Sequence, residues 1–150
     1  MQFSTRLSVA AHILLCIAVT AGQTKTTSAF LAGSVGVNPV IVRNTLGQLK
    51  AAGLVRVEAG VGGASLARDP ADITLLDVFQ AVEPQEALFH FHEKPNPLCP
   101  VGRNVHAVLD RRLVSAAKAL EDELASVTLR SLIDEMEARI GAEDDGTSAS

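Results

Sequence analysis

The stretch Val57–Ala67, VEAGVGGASLA, decides the fold, because its glycines stand at positions 60, 62 and 63. A cluster of this kind either cradles a phosphate or turns a hairpin. A phosphate loop leads from a strand into a helix. Here LVRVE (54–58) alternates apolar and polar residues as a strand does, ASLA (64–67) serves as a return strand, and Pro70 breaks the chain soon after. The stretch therefore reads as a hairpin whose glycines supply positive φ in the loop.

On the N-terminal side of the hairpin, Gly53 closes a helix that Asn38-Pro39 opens: asparagine is a strong N-cap and proline is tolerated at the first helical position. The helix between them, PVIVRNTLGQLKAA, sets Val42, Leu46 and Leu49 on one face. Before it, SAFLAGSV (28–35) forms a short helix capped by Thr26 or Thr27 and ended by Gly36. A first helix is expected over about 4–21, with Ser4 as its cap and Leu7, Ala11, Leu14, Leu15 and Ala18 at helical spacing. The same run, between Arg6 and Val19-Thr20-Ala21, has the outline of an export leader. His12 inside it and the weak basic region before it favour a buried helix. No run is long and apolar enough to span a membrane.

On the C-terminal side, Thr74-Leu-Leu-Asp77 is a capping-box variant opening a helix through Val82. Residues 84–101 hold four of the six prolines and two of the four histidines. A loop this long in a small domain is often functional. A long helix follows over about 104–125, striped by Val105, Val108, Leu109, Leu113, Leu120 and Leu124. A last helix runs from Thr128 to about Ile140, and GAEDDGTSAS (141–150) reads as a disordered polar tail.

Helix, short helix, turn, helix and hairpin is the order of a winged helix-turn-helix. The fold class is mainly α with a small β-hairpin, extended by a long dimerisation helix. The expected division is a DNA-binding domain over 1–83, a candidate sensor loop over 84–101, a dimerisation helix and C-terminal helix over 102–140, and the tail. With five Phe and no Trp or Tyr, the core must be aliphatic. Two cysteines, Cys16 and Cys99, suit a reducing compartment and a cytoplasmic location. Residues 1–68 carry six basic side chains against one acid, whereas the remainder carries seven against sixteen. That asymmetry suits an anion-binding module joined to a solvated arm. No nucleophile–base–acid set is visible, so no enzyme is expected, and neither a cofactor nor a metal site.

In such a fold the second helix of the pair enters a major groove of double-stranded DNA and the hairpin reaches backbone or minor groove. The candidate DNA contacts are Thr27 and Ser28 at the start of the first helix of the pair, and Asn38, Pro39, Val40, Arg43, Asn44, Gln48 and Lys50 on the second. Arg56, Gly60, Gly62 and Gly63 are the candidates on the hairpin, where Arg68 flanks them. Arginine suits guanine O6/N7 and asparagine suits adenine N6/N7. Gln48 and Lys50 are placed for phosphate or solvent, and Asn38 is first a cap.

MQFSTRLSVAAHILLCIA (1–18), LGQLKAAGLVRVEAGVGGASLARDPADITLLDVFQAVE (46–83) and NPLCPVGRNV (96–105) resemble, in order, the Rrf-two family of bacterial transcription regulators. The resemblance covers about residues 1–135. It implies homodimers crossing through the long helix, each subunit giving a recognition helix and a wing to one operator half-site. Some members hold an iron–sulfur cluster through three cysteines in the loop before that helix. Cys99 matches the last of the three, but Glu93 and Ala87 stand where the others would be, so the chain is similar to the single-cysteine branch. Many relatives also carry an arginine before the wing's first glycine, where this chain has Ala59. That shifts wing contacts toward backbone groups and Arg56.

The reading is a sequence-specific regulator, a repressor acting as a homodimer on an inverted repeat. One alternative keeps the scaffold and makes it an iron–sulfur, metal or thiol-redox sensor, through Cys99 or through a mixed site using His90, His92 or His106, with an unknown small-molecule or redox effector. Another, of a different class, is a protein-interaction adaptor, which the basic first half argues against.

Overall fold

The computed structural model describes residues 4–58, 63–84 and 88–147. Helix α1 (Arg6–Val19) is the element around which the others pack, touching α2 (Ser28–Val35), α3 (Pro39–Ala51), α4 (Leu75–Val82), α6 (Leu129–Thr147) and strand β2 (Gly63–Leu66). It can do so because Ala10, Ile13, Leu14 and Ile17 bury a broad apolar face. Among the described residues the buried apolar side chains are all aliphatic, as the missing aromatics require. The run with the outline of an export leader is thus part of the core. Ser4 lies just outside α1, where its hydroxyl accepts from the Arg6 N–H at 3.1 Å, although the capping residue itself is Thr5.

Each local signal around the helix-turn-helix has its structural counterpart. Thr27 caps α2 by accepting from Phe30 N–H, and Asn38 caps α3 by accepting from Val40 N–H at 2.9 Å. Gly53, at φ +75°, turns the chain out of α3 while Leu54 N–H donates to Leu49 O. The carbonyls just past this end of α3 are bonded by Arg68, whose guanidinium donates to Ala52 O and Gly53 O. A cation there also complements the negative end of the helix dipole.

Strands β1 (Val55–Glu58) and β2 pair antiparallel, with Val55 opposite Leu66 and Glu58 opposite Gly63. Beyond them a 3-10 turn at Pro70–Asp72 precedes α4, whose capping box joins Thr74 and Asp77 reciprocally.

Helix α5 (Pro100–Ser126) starts earlier than the sequence suggests. Pro100 occupies the first helical position, where its missing N–H costs nothing. At its far end Thr74 bridges Thr128, Leu75 N–H donates to Val127 O and Leu129 N–H to Ile73 O, so the α5–α6 turn is fastened to the start of α4. Helix α6 continues to Thr147, past the expected end at Ile140, so residues 141–147 are helical rather than a disordered tail. No proline interrupts them, and the backbone ladder satisfies itself in an exposed helix without tertiary cover. No helix among the described residues is long and apolar enough to cross a membrane.

Two contacts fix α2 on α1 and the hairpin on the segment leading into α2. Cys16 of α1 is half-buried. Its Sγ lies 3.1 Å from Ser34 Oγ, which is also 3.0 Å from His12 Nε2, tying α1 to α2. Thr26, just before α2, is buried; its hydroxyl donates to Ala64 O, and Ala64 N–H donates back to Thr26 O. The segment entering the helix-turn-helix therefore runs beside β2 and holds the hairpin against it.

Candidate nucleic-acid interface

Helix α3 has two faces. Val42, Thr45, Leu46 and Leu49 are buried. At roughly 100° per residue, the opposite direction is occupied by Val40, Asn44, Gly47 and Ala51, all exposed. Arg43 and Lys50 line one flank of that face, and Gln48 and Ile41 the other. The α3 residues singled out from sequence are thus brought onto one solvent-facing surface, with Pro39 and Asn38 at its N-terminal end. Ile41 was not among them, yet it is 46% exposed. The signal was present: with Val42 inward, its neighbour must turn about a quarter circle away. An outward Val and Ile at the start of a helix are suited to contact a thymine methyl.

Thr27 and Ser28 lie at the N-terminus of α2, with Thr27 exposed and Lys25 exposed just before it. Lys25 is a cation that sequence reasoning passed over, although its place ahead of a capped helix was legible. Arg56 projects from β1 opposite Ser65. Gly60 and Gly62, together with Ala59, lie outside the described residues. Gly63 is described, and the structure gives it an internal duty: φ is +77°, and a Cβ there would stand 3.1 Å from the backbone of Thr26. Arg68 faces the α3 C-terminus rather than the hairpin tip.

Of the sensor candidates, only His92 and His106 are seen in contact among the described residues. Cys99 is half-buried and occupies the N-cap position of α5 without a side-chain capping bond. His106 stacks on Phe91 with ring centroids 4.5 Å apart and meets His92 edge-on at 5.3 Å. Its Nε2 lies 3.2 Å from His92 O, and a carbonyl can only accept, so this nitrogen is the donor. His90 and Glu93 are exposed on the loop.

A helix-turn-helix followed by an antiparallel hairpin, with a polar and basic outward face on its second helix, defines a winged helix-turn-helix DNA-binding protein. Residues 3–135 match the model of the Rrf2 (Rrf-two) family, described as iron-dependent transcriptional regulators, and the chain belongs to that family. It is 47% identical over 135 residues to YwnA of Bacillus subtilis (strain 168), a protein named provisionally as an HTH-type transcriptional regulator; the match covers 90% of this chain and 99% of YwnA. A crystal structure provisionally described as that of a DNA-binding protein is similar at 43% identity and TM-score 0.68, over 85% of this chain and 98% of that one. IscR of T. potens shares the fold at 23% identity and TM-score 0.69, over 93% and 90% of the two chains. The protein is a DNA-binding transcriptional regulator, and not an enzyme.

The family description raises the question of iron, and the donor set answers it. A cluster needs several thiolate or imidazole ligands converging on one point. Among the described residues no three His, Cys, Asp or Glu side chains come together in that way. At the positions matching the other cysteines stand Glu93 and Ala87, and Ala87 carries no ligand atom whatever its placement. Nε2 of His106 is committed to a carbonyl. Among the described residues the donors do not fit an iron site.

Proposed function

We propose that the chain is a sequence-specific repressor that binds an inverted-repeat operator as a homodimer in the cytoplasm, reading each half-site with the outward face of α3 and holding the backbone with the hairpin. The observation that carries this reading is the α3 surface itself. One side is aliphatic and buried, and the other presents Arg43, Asn44 and Gln48 around Val40 with no acidic residue on the helix. Arg43 and Asn44 are the base readers in this proposal. Lys50, Arg56 and the α2 N-terminus at Thr27 and Ser28 meet phosphates, which position the protein without reading sequence. Residues 1–83 act as the DNA-binding unit and 102–140 as the assembly unit, with 84–101 between them.

The test is a titration against a library of single-base operator variants. Arg43→Ala and Asn44→Ala should each relax preference at one base pair per half-site, at about 1–3 kcal/mol. Lys50→Ala should weaken all variants alike and reduce the salt dependence by about one counterion per subunit. If Arg43→Ala lowers every variant equally, α3 does not read sequence and the reading falls.

A further inference from the structure

Gly47 has no reason inside the protein to be glycine. It sits in the middle of α3 with ordinary helical backbone, and a Cβ built on it meets no described residue within 4 Å. Gly63 differs, needing both its positive φ and the space that the Thr26 backbone occupies, and so does Gly102, where a Cβ would run into the Asn96 carbonyl. Glycine inside a helix is destabilising relative to alanine, because it frees the unfolded chain. The fold thus bears a cost at Gly47 that no internal contact returns.

Its position says where the return lies. Gly47 falls at the centre of the exposed α3 face, between Asn44 and Ala51 along the helix, with Arg43 and Lys50 on one side and Gln48 on the other. Gly33 of α2 is equally open, but its helix, SAFLAGSV, carries no basic or amide side chain.

We propose that Gly47 is the point at which the α3 backbone itself comes against the base edges, and that its missing side chain sets the depth of the helix in the groove. This rests on the placement of α3 proposed above. A helix with its side chains is about 10–12 Å across and the major groove about 12 Å wide, so the fit has little slack. One added methyl would hold the axis off by roughly 1.5 Å, the length of a carbon–carbon bond. Base hydrogen bonds from the short Asn44 side chain and the bidentate Arg43 do not survive that displacement, since a contact near 3.6 Å is no longer a hydrogen bond. Long, flexible Lys50 follows a phosphate across the same distance. The glycine therefore serves discrimination more than attraction.

The experiment uses the full chain and an operator selected by it from random DNA, beside an unrelated duplex. Gly47→Ala should raise the melting temperature by about 3 °C, as a better helix former does. It should also weaken operator binding by at least about tenfold while leaving the unrelated duplex unchanged. Gly47→Leu should lose more, and Gly141→Ala, equally open but on α6, should leave both DNAs untouched. Gly47→Ala binding the operator as tightly as the parent, or losing equally on both duplexes, overturns the proposal. If Arg43→Ala and Asn44→Ala also keep full operator binding, the failure belongs to the placement of α3. If they lose it while Gly47→Ala does not, Gly47 alone is at fault.

Discussion

Arg56 and Arg68 look alike in sequence, both arginines flanking a glycine-rich hairpin, and their surroundings separate them. Arg56 stands exposed on β1, whereas Arg68 is turned to the carbonyls of Ala52 and Gly53 just past α3. Arg56→Ala should lower the salt dependence of DNA binding by about one counterion per subunit. Arg68→Ala should leave that slope alone and instead cost about 0.5–1 kcal/mol of stability, through lost helix-end bonds. A salt titration beside a urea melt for each variant tells the two roles apart, and an Arg68→Ala protein with parental stability would refute the cap. Gly63 likewise has a duty inside the fold. With φ at +77° and the Thr26 backbone 3.1 Å from any Cβ, Gly63→Val should cost about 1–3 kcal/mol from backbone strain alone. Thr26→Val should produce a smaller loss, about 1 kcal/mol, because it deletes only the hydroxyl donated to Ala64 O. If both variants melt with the parent, the seat of the hairpin on the helix-turn-helix is not what these contacts suggest.

At the scale of elements, what could be read from sequence follows from which forces are local. The Asn38 cap, the Gly53 terminator, the Thr74–Asp77 box and the two strands of the hairpin are set by residues close to one another in sequence, and all were legible. The inward and outward faces of α3 were legible too, since Val42, Leu46 and Leu49 give the period away. What was not legible depends on distant partners. Nothing near Thr26 announces that its hydroxyl will meet Ala64, and nothing near Arg68 announces the end of α3. The early start of α5 is hidden in the sequence because Pro100 ends a proline-rich loop and is at the same time the first helical residue. Cys99, at that helix's N-cap, also bears on metal chemistry. With Glu93 and Ala87 in place of cysteines and no converging donors among the described residues, protein purified without oxygen should be colourless. Stoichiometric iron and sulfide with visible absorption would show that the loop regroups around Cys99, and would bring His90, His92 and His106 forward as ligands.

At the scale of the whole molecule, α5 poses the problem of its own solvation. It is 27 residues long and none of them is buried. The stripe read from sequence divides in two. Leu113, Leu120 and Leu124 turn toward Phe79 and Leu7 of the same subunit, across an open cavity of about 1330 Å³. Val101 and Val108 project away, 73% and 68% exposed, with Leu109 and the half-buried Val105 nearby. A helix with an uncovered apolar face is a docking surface, and the N-terminal half of α5 is where a second copy should cross. Four such side chains from each copy, at about 1.5 kcal/mol or more each when fully buried, give a gross gain of order 10 kcal/mol. That gain is set against an association cost of similar size, about 4–15 kcal/mol. A dimer so balanced should not survive a buried unpaired charge, which costs far more than a lost methyl. Val108→Asp should therefore give monomers at micromolar concentration by light scattering, with the circular dichroism of the parent, since the residue is 68% exposed in its own subunit. The monomer should lose the affinity that two linked half-sites supply while keeping the base preferences of a single one. The half-sites themselves should lie about one helical turn apart, or a multiple of it. A parent chain that is monomeric at that concentration, or a Val108→Asp variant that stays dimeric, would move the assembly surface away from this half of α5.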